Sequence, residues 1–138
     1  MTAPTETAEM LNLRLRRLKL MRAKVDAMRN DSLPFYIPTP KQELFHRATA
    51  KRRGVFAGNR FGKSHMGAAE DAAWLRGERV WYSVDDPARH SGIPNHPVKG
   101  LVITTDWDKV DEIWTSQRGE EGKLWKFLPH DGFVKSKQ

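Results

Sequence analysis

Gly54-Val55-Phe56-Ala57-Gly58-Asn59-Arg60-Phe61-Gly62-Lys63-Ser64 is the stretch that decides how the rest of the chain is read. Its last eight residues follow the Walker A pattern of glycine, four residues and Gly-Lys-Ser, with Ala57 where the first glycine stands. A loop of this kind wraps backbone N–H groups closely around a phosphate chain, which requires small residues and positive φ angles. Gly58 and Gly62 supply that freedom, and Ala57 suffices where φ stays negative. Lys63 would reach the β- and γ-phosphates, and the Ser64 hydroxyl would coordinate Mg²⁺. The helix beginning there would add its dipole to anion binding. ATP with Mg²⁺ is therefore the expected ligand. The competing reading, a chance Gly-Lys-Ser, is weighed against context: an apolar run read as a strand enters the loop, and a helical pattern leaves it.

Outward from the loop, Met66, Ala69, Ala73 and Trp74 offer a buried stripe on a helix over residues 64–76. Upstream, Thr39-Pro40-Lys41-Gln42 has the grammar of a helix start: Thr39 as N-cap, Pro40 at the first helical position, Gln42 three residues after the cap. That helix is expected to reach about Lys51. Further back, Leu11, Leu15, Leu18, Met21, Val25 and Met28 recur at three- and four-residue spacing. They predict one long helix over about residues 6–29, with Arg14, Arg16, Arg17, Lys19, Arg22 and Lys24 on its other faces. Thr5 before Glu6 and Glu9 suits its N-cap and first turn.

Downstream, residues 77–99 are rich in Pro, Gly, His and Asp without periodicity and read as a long excursion. Leu101-Val102-Ile103-Thr104-Thr105 reads as a buried strand, followed by a helix from about Trp107. Alternating strands and helices predict an α/β fold, a partial P-loop NTPase with a parallel sheet and flanking helices, preceded by the long basic helix. The domain division expected is residues 1–33 for that helix and 34–138 for an incomplete ATPase domain.

The chain's 138 residues allow at most one domain on the usual scale of roughly 100 to 200 residues. No apolar run of membrane-spanning length and no secretory signal core occurs, so a soluble, unexported protein is expected, in agreement with a cytoplasm, and the absence of cysteine excludes disulfides and thiolate metal sites. Lys and Arg exceed Asp and Glu by seven, and the excess is confined to residues 1–64, which hold 14 basic and five acidic side chains. Such a field favours a polyanion, because each cation that meets a phosphate releases condensed counterions; a solvated helix face with a basic loop explains it as well.

These residues, taken together, resemble a known family. Thr39-Pro40-Lys41-Gln42 and Phe45-His46 lie about a dozen residues ahead of the 57–64 loop, and Gly67, Glu70 and Trp74 follow it. With Val98-Lys99-Gly100 and residues 101–106, the combination resembles the large subunits of tailed-bacteriophage terminases, over about residues 34–128. The resemblance implies the N-terminal part of an ATP-driven motor that packages double-stranded DNA into proheads, joined in the whole protein to a nuclease. It implies further a portal or prohead and a small terminase subunit as partners, and a homo-oligomeric ring. Ala57, Gly58, Asn59, Arg60, Phe61, Gly62, Lys63 and Ser64 would hold the nucleotide. Gln42 would sense adenine, although it also sits where a capping-box residue belongs. Arg60 would act as an arginine finger on the γ-phosphate, or face DNA or a neighbouring subunit.

Hydrolysis also needs a metal-binding acid after an apolar strand and a carboxylate that positions water. No Walker B strand is recognisable, since Asp106 lacks an adjacent acid, and no nuclease cluster is present. Turnover by this chain alone is not expected. The alternative is a non-catalytic fragment that binds DNA or a packaging subunit through the basic helix, with a vestigial loop. His90, His96, Asp85 and Asp86 match no standard metal site, and of Trp107, Trp114 and Trp125, which could stack on bases, the helical spacing of the first two favours core packing.

Overall fold

The computed structural model describes residues 8–50, 52–58, 60–101, 103 and 122–129. Three α-helices carry this part of the chain: α1 (Ala8–Asn30), α2 (Pro40–Arg47) and α3 (Lys63–Arg76). Short 3-10 turns lie at Leu33–Phe35, Pro87–Arg89 and Trp125–Phe127.

The expected parallel sheet is not found. Among the described residues there are helices, turns and irregular segments but no strand, so the α/β, P-loop NTPase reading of the fold is overturned. A strand exists by exchanging its N–H and C=O groups with a neighbour about 4.8 Å away. Residues 54–57 have no such ladder, and Phe56, which a buried strand would sandwich, is fully exposed. Leu101 and Ile103 are each 84% exposed, whereas Val102, Thr104 and Thr105 lie outside the described residues. The helix expected from Trp107, with Asp106 and Trp114, also lies outside them. A short apolar run satisfies strand and uncovered loop alike until a pairing partner is identified.

The helices follow their local signals more closely. Thr39 and Gln42 form the full capping box, with Pro40 opening α2. This helix ends at Arg47, a turn before the expected Lys51. Ala48 turns extended, and the Phe45 carbonyl in the last turn accepts from Arg53 Nη1 at 3.0 Å. At the other end of α3, Gly77 takes the left-handed conformation at φ 84°. Its N–H reaches the Trp74 carbonyl and the Glu78 N–H reaches that of Ala73, a Schellman closure that glycine makes without a Cβ penalty.

The core lies on the alanine-rich face of α3. Ala68, Ala69 and Ala72 are small enough to let Leu33, Tyr36, Leu124 and Phe127 close over them, with Val80, Trp81 and Leu128 at the margin. Burial of Leu33 and Phe127 is nearly complete, each contributing about 1.5–3 kcal/mol. Ser32 Oγ donates to the Lys126 carbonyl and so ties the Leu33–Phe35 turn to the Trp125–Phe127 turn. Of the expected stripe, Met66, Ala69 and Ala73 are buried and Trp74 is half-buried. Helix α1 differs: none of its residues is buried, and its large apolar side chains are 41–66% exposed. Its far end is held by Asp31, which pairs with Arg76 of α3 at 2.6 Å.

Candidate functional site

The 57–64 loop ends in two left-handed residues, Arg60 at φ 65° and Gly62 at φ 80°. Gly62 is the N-cap of α3, and no side chain caps that helix, so Lys63 and Ser64 begin its first turn with their N–H groups facing out of the helix end. Lys63 Nζ folds back to donate to the carbonyl oxygens of Ala57 and Gly58, at 2.7 Å each. The ammonium therefore sits inside the turn that it closes. Arg60 and Ser64 are exposed, and Ala57, Phe61 and Gly62 are half-buried. Asn59 lies outside the described residues.

Gln42 joins α2 to this loop. Its Oε1 accepts from the Thr39 N–H at 2.9 Å, and its Nε2 donates to the Phe61 carbonyl at 3.3 Å. Both ends of the carboxamide are engaged and the residue is 5% exposed, so the capping role is realised in the geometry. A Cβ added at Gly62 would stand 3.0 Å from Gln42 Nε2, a second reason, beside its φ, for glycine there. An open-sided cavity of about 720 Å³ adjoins the loop, walled by Phe45, Arg52, Val55, Phe56, Gly58 and Met66.

Behind the loop stands a buried charge cluster whose arrangement the sequence reading did not foresee. Glu70, on α3, accepts hydrogen bonds from His46 Nδ1 at 2.8 Å, Arg53 Nη2 at 2.9 Å, Arg79 Nε and Nη2 at 3.0 and 2.5 Å, and Trp74 Nε1 at 3.3 Å. Burial alone would raise the pKa of this carboxyl. The hydrogen bonds from His46 and Arg79, the charge of Arg79 and the bond from Arg53 outweigh it and hold Glu70 well below the usual carboxylate range. His46 Nε2 meets the Tyr36 hydroxyl at 3.1 Å. With its proton on Nδ1, His46 donates to Glu70 and accepts from Tyr36, whose hydroxyl burial keeps protonated.

Arg79 is 1% exposed and also donates to the carbonyls of Ala88 and Ser91. One carboxylate thus fastens α2, the approach to the loop and the start of the 77–99 segment onto α3. The signal available in the sequence was Glu70 itself, an acid beside the apolar Met66-Ala69-Ala73 stripe that demands a cationic partner.

His65, next to Ser64, packs its ring on Phe127 and Tyr36 with centroids 4.7 and 5.7 Å away. Burial, then Lys126 and Lys123, push its pKa down, so the ring is neutral near pH 7. Asp86 chelates Arg47 and caps the Ala88 N–H, and His90 lies 3.9 Å from Glu78. No group of three or more His, Cys, Asp or Glu among the described residues could hold a metal ion. Ser64, the residue expected to meet Mg²⁺, is exposed in the first turn of α3 beside Lys63. No helix among the described residues is long and apolar enough to cross a membrane. No protein-family model, curated protein or solved structure matches this chain.

Proposed function

We propose that residues 57–64 bind the phosphate chain of ATP with Mg²⁺, and that the chain is the nucleotide-holding segment of a DNA-packaging motor of the tailed-phage terminase type. The observation that carries the phosphate reading is the pairing of Gly62 and Lys63: a left-handed N-cap without a capping side chain, followed at once by a lysine whose ammonium is folded into the same turn. Backbone N–H groups, helix dipole and ammonium converge there, and each favours an anion. A phosphate arriving at the turn would draw Lys63 Nζ from the two carbonyls, and Ser64 would offer its hydroxyl to the metal. The reading rests on this loop, on helix α3 and on the spacing of residues 39–74; the strand expected to enter the loop does not support it, since residues 54–57 form none.

Motor function, double-stranded DNA as cargo, and portal, prohead and small-subunit partners follow from the resemblance. Binding, without turnover, is the activity proposed for these 138 residues. Titrating the chain with ATP, GTP and inorganic tripolyphosphate in the presence of Mg²⁺ tests it. Competition by tripolyphosphate for the ATP site is the expected result; a folded chain on which ATP binds and tripolyphosphate does not compete contradicts the phosphate-chain reading.

A further inference from the structure

Helix α1 presents a surface that the phosphate loop does not use. Placed in heptads with Leu11 at the first position, its seam consists of Leu11, Leu18 and Val25 alternating with Arg14, Met21 and Met28. Five of these six residues are apolar, and they are 41–56% exposed. The helix runs 23 residues, about 35 Å at 1.5 Å per residue, and buries none of them. The flanks of that seam carry Arg17 and Lys24 on one side and Arg22 and Arg29 on the other, with Met10 and Leu15 completing them. The two acids of the helix, Glu9 and Asp26, fall away from the seam, as do Leu13 and Leu20, which are 62% and 66% exposed.

From this pattern we infer that α1 is a docking surface for an acidic amphipathic helix of another protein. An apolar seam of this length gains stability by covering a second apolar seam, and the residues beside it choose the partner by charge. A second copy of the chain fits poorly. Parallel pairing sets Arg17 against Arg22 and Lys24 against Arg29 of the copy, and antiparallel pairing also brings basic flanks together. Duplex DNA would meet the cations but leave Leu18, Met21 and Val25 uncovered. Glutamates at the flanking positions of a partner helix satisfy both requirements at once.

The test uses the full 138-residue chain and two designed 28-residue helical peptides with the same leucine and valine seam, one with glutamate at every flanking position and one with lysine. The acidic peptide should bind one to one, and the lysine peptide at least tenfold more weakly. Leu18→Asn with Val25→Asn, and separately Arg17→Glu with Lys24→Glu, should each weaken the acidic peptide about tenfold. Arg16→Ala with Lys19→Ala, on the far side, should change it less than twofold, with helicity of each variant checked by circular dichroism. Equal binding of the two peptides, or seam variants that bind like the parent, would overturn the inference. So would self-association abolished by Leu18→Asn, which assigns the seam to a second copy, or 20-base-pair DNA binding insensitive to the seam and displacing the peptide.

Discussion

Gln42 Nε2 donates to the carbonyl oxygen of Phe61, the residue before the left-handed Gly62, and the same side chain closes the cap of α2 through Thr39. The start of one helix thereby holds the loop that starts the next. Gln42→Glu keeps an oxygen for the Thr39 N–H but turns a carboxylate oxygen toward the Phe61 carbonyl. The expected cost is about 1 kcal/mol of stability, read by urea unfolding. Loosening the loop should weaken ATP, GTP and tripolyphosphate by a similar factor. A loss confined to ATP would instead mean that Gln42 reads the adenine ring.

Gly62→Ala and Arg60→Gly test the turn itself. Alanine at φ 80°, with its Cβ 3.0 Å from Gln42 Nε2, should cost about 1–2 kcal/mol or more, because the left-handed region disfavours any Cβ. Arg60 already bears that cost at φ 65°, so Arg60→Gly should be more stable than Arg60→Ala by about 1 kcal/mol. Alanine equal to or better than glycine at both positions would contradict this backbone.

Glu70→Ala leaves Arg53 and Arg79 buried without their carboxylate, and the arginine side chains are 16% and 1% exposed. Breaking a buried pair from one side costs about 3–5 kcal/mol, a large share of the stability of a chain with so small a core. Denaturant unfolding should show little folded protein. A variant that unfolds like the parent would remove Glu70 as the organising residue.

Acid should destabilise the protein in two stages of the same sign. His65 has its pKa lowered in the folded state, mainly by burial, so the unfolded chain binds more protons and stability falls as pH drops below about 6.5. Glu70 is lowered from 4.5 by its hydrogen bonds to His46 and Arg79, despite burial. Its contribution is complete above about pH 4.5 and is lost progressively as pH falls below that. Urea midpoints across pH 7 to 3 should show both limbs, with His65→Gln flattening the upper and Glu70→Gln the lower. Persistence of the lower limb in Glu70→Gln would assign it to other carboxylates.

What the sequence made legible was the local chemistry. Thr39 and Gln42 announced a capping box, the residues from Ser64 a helix that starts one residue earlier, and Met66, Ala69 and Ala73 a buried stripe with Trp74 half-buried beside it, because each is decided within a turn or two of chain. The expected strand at residues 54–57 failed for the converse reason: a strand is defined by a partner distant in sequence, and no composition of Gly54, Val55 and Phe56 supplies one. The Glu70 cluster was hidden in the same way. Its donors come from positions 46, 53, 74 and 79, and only folding brings Arg53, across the loop, to the same carboxylate as Arg79. For α1, periodicity located the helix but not the state of its apolar seam, which is exposed.

The central claim, that the 57–64 loop holds a nucleotide by its phosphates, is tested most directly by calorimetric titration of ATP and Mg²⁺ into the chain and into Lys63→Ala, with folding verified by circular dichroism. The account predicts saturable binding to the parent and at least a tenfold weaker affinity in the variant, since the ammonium folded into the turn is the full charge held nearest the start of α3. Equal affinity in the two proteins, or no binding by a folded parent chain at millimolar ATP, would contradict it.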